Sequence, residues 1–309
     1  MTRLHTLPPT EQIYRSHVPP RYDGFFVEKY FATRFSYQDE EEWSRQIFAG
    51  KIIVNGEVAL IGQKLRANDL TVTNAGFRVE PAADRTLNVI YQDKDIRVFN
   101  KRAPIPVHPC GRYFKNSMTE ILKQEYPDEV PRPIQRLDVT TTGIIVFART
   151  QKAAAFLMKE FKQNQIEKEY FALVEGVPQS KQFTIDKPIG KLTASKRAVG
   201  EEIPGSQPAR TDIEWLTSIN DRSLLRVIPR SGRTNQIRVH LASVGLPIYN
   251  DSVYGRGKVS DQEFYLHHRR MQFQCLDAKF QLTAIYPPHF QPYMNRLERI
   301  NESPKLIYK

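Results

Sequence analysis

The reading of the fold turns on Gln135-Arg136-Leu137-Asp138-Val139-Thr140-Thr141-Thr142-Gly143-Ile144-Ile145-Val146-Phe147-Ala148. Its second half is a short unbroken apolar run, the pattern of a strand buried on both faces. Its first half is polar and sets a carboxylate beside a guanidinium in a loop just before that strand, where a reactive group is well placed. Taken alone, the aspartate has a second reading, because aspartates in such loops commonly hydrogen-bond their own backbone as turn formers. Upstream the texture is also β-rich. Residues 88–91 and 96–100 read as a hairpin around Gln92-Asp93-Lys94-Asp95, followed by Pro104-Ile105-Pro106-Val107-His108-Pro109, a loop stiffened by proline. Downstream, Tyr170 falls in a strand, and residues 234–244 predict a helix with Ile237, Leu241 and Val244 buried and Gly245 as its stop.

The first third has a different pattern. After a proline-bearing lead, residues 22–35 predict a helix with Phe26, Tyr30 and Phe31 on one side. Ser36 then stands as an N-cap before an acidic first turn, 39–42, and Trp43, Ile47 and Phe48 form the buried stripe of a second helix closed by Gly50. Asn55-Gly56 between the apolar runs 52–54 and 58–60 predicts a hairpin, since both turn residues tolerate positive φ. A strand over 70–73 follows, and residues 76–86 read as a linker.

Composition bounds the function. The 309 residues suggest two domains at about 150 residues each. Lysine plus arginine number 45 against 34 acids, a net charge of +11 that suits a partner made of phosphate. The two cysteines, Cys110 and Cys275, are too few for a disulfide framework, form no Cys-x-x-Cys pair, and read as packing residues of a protein in the cytoplasm or another reducing compartment. No apolar run approaches the roughly 18 residues of a membrane span, so no membrane partner is expected. No histidine begins a His-x-Glu, so zinc deaminase chemistry has no ligand set. Gly255-Arg256-Gly257-Lys258 fails as a P-loop, because Ser252 stands where the first glycine is needed.

The central stretch resembles the His-Arg-Leu-Asp signature of the RluA-type pseudouridine synthases, and further segments agree in order: Lys168 to Gly176, Ser231 to Leu241, Gly245 to Gly255, and Leu266-His267-His268 leading to a tail over 273–287. Residues 20–75 resemble the small S-four-type RNA-binding domain. These resemblances imply an α+β protein: a mainly antiparallel, mixed-sheet pseudouridine synthase catalytic domain over 86–309 behind a small α+β RNA-binding domain over 1–80. The implied activity is isomerisation of uridine to pseudouridine in ribosomal or transfer RNA, with no cofactor, no metal and nothing that demands more than a monomer.

By the same resemblance Asp138 is the catalytic carboxylate, attacking the ribose or the base ring or removing a ribose proton, three routes the sequence leaves open. Arg238 is its cationic partner, and a bidentate guanidinium would hold the carboxylate charged and oriented. Tyr170 is the ring that stacks on the target base, and Arg136 fills the gap left when uridine leaves its helix. Arg226, Arg230 and Arg233 are read as phosphate ligands; Arg34, Arg45 and Lys51 are read as backbone contacts of the front domain, with a solvated rim as the alternative for these last three. Gln135 and Asn235 replace two histidines of the family pattern; both amides keep donors and acceptors but cannot titrate. The competing function is a non-catalytic RNA-binding or ribosome-assembly factor on the same fold, against which the joint presence of Asp138, Tyr170 and Arg238 argues.

Overall fold

The computed structural model describes residues 4–35, 38–193, 196–256 and 264–302. The chain divides into two units, Thr6–Pro81 and Met1–His5 with Ala82–Lys309. The smaller unit runs β1 (Thr10–His17), α1 (Val27–Arg34), α2 (Glu40–Phe48), β2 (Ile52–Val54), β3 (Glu57–Val58) and β4 (Leu70–Arg78), its strands forming an antiparallel sheet in the order β1-β4-β2-β3. Asn55 and Gly56 both take positive φ, 51° and 94°, and turn β2 into β3. Tyr30, Phe31, Trp43, Ile47, Ile52 and Leu65 fill the core between helices and sheet.

Several expectations for this unit are corrected. Gly24, at φ 77°, follows a short 3-10 turn, so α1 starts only at Val27 and Phe26 is exposed. Phe48 is 87% exposed because it lies one residue, about 100° of helix, beyond the buried Trp43–Ile47 stripe. Ser36 lies outside the described residues, and the cap of α2 is Asp39, whose carboxylate accepts the Glu42 N–H. β1 was not expected at all. By pairing Thr10 with Arg78, it extends β4 into the stretch read as linker.

The larger unit continues with β5 (Val89–Gln92), β6 (Ile96–Lys101), α3 (Met118–Glu125), β7 (Arg132–Pro133), β8 (Thr142–Ala148), α4 (Gln151–Lys162), β9 (Glu167–Glu175), β10 (Gln182–Asp186), β11 (Ile189–Lys191) and β12 (Arg197–Val199). It closes with β13 (Arg210–Ile219), β14 (Arg222–Pro229), α5 (Gln236–Ser243), β15 (Leu266–Cys275), β16 (Ala278–Thr283) and α6 (Gln291–Glu302). One large sheet runs β10-β13-β14-β9-β15-β8-β6-β5, with β16 on β15 and β7 on β8. Among the described residues its pairs are antiparallel except β15 with β8, where His267 and His268 lie beside Thr142 and Gly143. The architecture is α+β, as expected.

β8 is buried at every position. Its Ile144 and Val146 pack into a cluster with Ala153 and Leu157 of α4, while Ile145 and Phe147 pack with Met118, Ile121 and Leu122 of α3. Alternate side chains therefore enter opposite layers, which is why the run is apolar throughout. α5 ends one residue before Val244, which is exposed as the C-cap while Gly245 turns away at φ 78°; its buried apolar face is Ile237, Val239 and Leu241. Cys275 is buried, but Cys110 is exposed in a turn bridged to Tyr113, so only one cysteine is a packing residue. Among the described residues no helix is long and apolar enough to cross a membrane.

Candidate active site

Asp138 occupies the turn leading into β8, where its carbonyl accepts the Thr141 N–H at 3.1 Å. The turn is held from below by Lys101, the last residue of β6, whose side chain is fully buried. Lys101 Nζ donates to the carbonyls of Arg102, Val139 and Thr141 at 2.9, 3.1 and 2.7 Å. Burial draws its ammonium down to about 7, against the opposing charges of Asp138 and Asp84. The turn is fixed from the side by Gly143, at φ 107°: a Cβ there would stand 2.3 Å from the His268 carbonyl oxygen, so only glycine lets β8 approach β15 this closely.

Register then brings Tyr170 to the same place. His268 lies beside Gly143 on one neighbour and opposite Tyr170 on the other, and the Tyr170 and His268 rings stack at 4.4 Å with 10° between planes. His268 Nδ1 bonds the Ile144 carbonyl at 2.7 Å, and burial pushes the ring down to about 3, so it is neutral at physiological pH. Burial, with the Asp138 charge adding to it, raises the Tyr170 phenol and keeps it protonated.

Arg238 enters from α5. Its Nη1 donates to Asp138 Oδ2 at 2.7 Å, while Nε and Nη2 donate to the two oxygens of Asp251 at 2.7 and 2.8 Å. Asp251 has a fully buried side chain and also accepts the N–H groups of Val253 and Tyr254 at 2.9 and 3.0 Å. Burial works against both charges, but the fork between them wins: Asp251 is held below the usual carboxylate range, and Arg238 above its ordinary value by Asp251 and Asp138 together. The Arg238 side chain is 11% exposed and that of Asp138 38%, so one carboxylate faces outward from a buried guanidinium. α5 is anchored for this by Gln236, which accepts from Ser231 Oγ and the Arg233 N–H and donates to the Arg210 carbonyl and Thr211 Oγ1.

The structure thus brings Asp138, Arg238 and Tyr170 together. Arg136 is exposed in the same turn, and its charge acts on His108 and Cys110 of the adjoining loop. The other arginines differ from expectation. Arg226 pairs with Glu169 and Glu214 at 2.7 and 3.2 Å, and Arg230 with Asp212 at 2.6 Å, so both are committed to carboxylates; Arg233 is exposed, with one bond to the Pro208 carbonyl. In the smaller unit Arg34 donates to the His17 carbonyl and the Tyr30 hydroxyl, Arg45 pairs with Glu41 and Glu42, and Lys51 is exposed.

The two amides in place of histidines are structural ties. Gln135 donates to the Ile144 carbonyl and accepts the Val146 N–H, and Asn235, at φ 57° before α5, accepts from Arg238 Nη1 and donates to Tyr254. Sequence reasoning missed the roles of Lys101, Asp251 and His268. The motif over 245–255 contains Asp251, and the strand read over 96–100 stops one residue short of Lys101, but nothing local marks either as buried.

Residues 95–243 match the family model described as RNA pseudouridylate synthase. The chain is 33% identical over 259 residues to the Ribosomal large subunit pseudouridine synthase D of Vibrio cholerae, covering 81% of this chain and 78% of the relative. It is 31% identical over 242 residues to Pseudouridylate synthase RPUSD2 of Homo sapiens, covering 78% of this chain and 44% of that protein, so it spans about half the length of this relative. Human RNA Pseudouridylate Synthase Domain Containing 1, a solved structure, shares the fold at a TM-score of 0.59 and 23% identity, over 71% of this chain and 90% of that one.

Proposed function

The chain belongs to the RNA pseudouridylate synthase family, and we propose that it isomerises uridine to pseudouridine in structured ribosomal or transfer RNA, with Asp138 as the catalytic carboxylate. The observation that carries this reading is the pair of Asp138 and Arg238 at 2.7 Å, the arginine itself chelated by buried Asp251, beside the stacked Tyr170. Isomerisation breaks the C1′–N1 bond, joins C1′ to C5, gives N1 a proton and takes one from C5. Atoms and electrons balance without an oxidant or a cofactor, so the work falls on side chains. Asp251 occupies two donors of the guanidinium and leaves Nη1 to orient Asp138.

A uridine inside a helix is out of reach of this carboxylate, so the base swings out at a cost of a few kcal/mol. Stacking on Tyr170 and occupation of the vacated space by Arg136 offset that cost. The unit Thr6–Pro81, two helices and an Asn-Gly hairpin, serves as an S-four-like RNA-binding domain, with Arg34, Arg45 and Lys51 as its contacts to the RNA backbone, and Arg233 of the larger unit is a further phosphate ligand. Two free cysteines suit a reducing compartment such as the cytosol, and a monomer contains every group named here. In the test, Asp138→Asn abolishes pseudouridine formation and leaves RNA affinity within about twofold, because the change removes a negative charge. Full activity of that variant refutes the reading, and mapping pseudouridines in total RNA from cells with and without the gene identifies the target.

A further inference from the structure

Tyr170 has two ring faces, and one of them is already taken. Across the sheet at this register stand Val227 of β14, Tyr170 of β9, His268 of β15 and Gly143 of β8, Tyr170 being paired with Val227 on one side and His268 on the other. The His268 ring lies 10° from parallel to Tyr170 at 4.4 Å, so the second face of the phenol turns toward β14. Arg238 arrives from that side, since Ile237 and Leu241 of α5 pack in one cluster with Val227. Tyr170 is only partly buried, whereas His268 is fully buried and so cannot itself meet RNA. The reaction as derived uses Tyr170 and gives His268 no part.

Three features bear on the plane of that imidazole. Its Nδ1 donates to the Ile144 carbonyl at 2.7 Å, which settles the tautomer and the ring orientation together. β15 is irregular directly after it, with His268 opposite Tyr170 but Arg270 opposite Glu169, the kind of bulge that re-aims a side chain and recurs beside active sites. On its far side lies Gly143, which has no side chain, so no other group of β8 at this register could back the phenol if the imidazole were lost.

We propose that His268 is a positioning residue of the reaction: it backs the Tyr170 ring and holds its angle, so that the flipped uracil completes a three-layer stack of base, Tyr170 and His268. A ring already held on one face has little freedom left to lose when a base arrives on the other, so the stacking serves to place uracil at Asp138 rather than to order the phenol. The inference rests on the pseudouridine synthase reading and adds to it what aims the ring that receives the base.

Two substitutions separate the ring from its hydrogen bond. His268→Phe keeps a flat ring and loses the Nδ1 donor, a loss softened because the Ile144 carbonyl also accepts from Gln135. His268→Gln keeps a donor and loses the ring. The experiment uses the full chain and pooled unmodified transcripts of ribosomal and transfer RNA, with affinity measured by filter binding and the saturated single-turnover rate by pseudouridine detection, each rate corrected for the folded fraction in a thermal melt. His268→Gln lowers the saturated rate about tenfold with affinity within about twofold, because an unbacked ring misplaces the base, whereas His268→Phe stays within about threefold of the wild-type rate. A corrected His268→Gln rate within about threefold of wild type, or an equal loss in both variants, overturns the inference, the second by tracing the effect to the Nδ1 bond instead of the ring. A rate loss in His268→Gln matched by an equal loss of affinity overturns it as well. A wild-type chain that makes no pseudouridine in any transcript overturns the activity and this inference together, whereas an active wild type with any of those variant outcomes overturns the inference alone.

Discussion

Lys101→Met keeps the length of a buried side chain and removes its ammonium, so it separates the two effects of that group. The buried Thr141 carbonyl and the partly buried carbonyls of Arg102 and Val139 lose their donor, at up to about 1–3 kcal/mol each, or at most about 9 kcal/mol together. Against this, an ammonium drawn from 10.5 to about 7 carries a burial penalty of about 5 kcal/mol, which methionine relieves. The net change in stability at neutral pH therefore lies within a few kcal/mol of zero. Activity has no such compensation. Two of the three carbonyls belong to Val139 and Thr141, within three residues of Asp138, and a displacement of about 1 Å at a reacting group costs about a hundredfold in rate. The sign of the pH effect is fixed as well. Between about 7 and 10.5 the folded chain has released a proton that the unfolded chain still binds, so wild-type stability rises with pH across that window, and the variant loses the rise. Urea unfolding at pH 7 and 9.5, with single-turnover pseudouridine formation, measures both. Activity within about threefold of wild type, or an unchanged pH dependence of stability, refutes the anchoring role.

Asp251→Asn breaks a buried ion pair while leaving Arg238 charged; it should lower stability by about 3 kcal/mol in urea unfolding and slow the reaction at least about tenfold, and a loss under about 1 kcal/mol counts against the fork. His267 and His268 are both held neutral by burial down to about 3, so below 6.5 the unfolded chain binds protons that the folded chain refuses; stability falls as pH drops from 6.5 toward 3, and replacing His267 by glutamine should shallow the slope by about one proton. Deletion of residues 1–80 should weaken RNA binding and flatten its salt dependence, and an unchanged slope in filter binding would make the front unit a spacer.

What the sequence disclosed and what it withheld follow from how far apart the partners lie. Asp138, Tyr170 and Arg238 were legible because each lies in a contiguous motif whose residue types carry the chemistry. β8 was legible because burial on both faces leaves a local signature, an apolar run with no alternation. β1 was not, since its partner β4 lies some sixty residues on, and Thr10–His17 shows little more than a lone buried Gln12. Phe48 and Val244 were misplaced because a helix face is decided by about 100° per residue, and one position at a helix end separates core from solvent. Lys101 illustrates the deeper limit. A lysine closing an apolar strand reads as a charge reaching for water, and only the arrival of the Val139 and Thr141 carbonyls turns it into a buried anchor. The stack of Tyr170 on His268 likewise depends on two registers meeting at β15, one parallel with β8 and one antiparallel with β9. A shift of either register by one residue would carry His268 to the opposite face of the sheet from Tyr170, because side chains alternate with a period of two. The chemistry of this site is therefore written in local motifs, and its geometry in strand pairing between segments about a hundred residues apart in the chain.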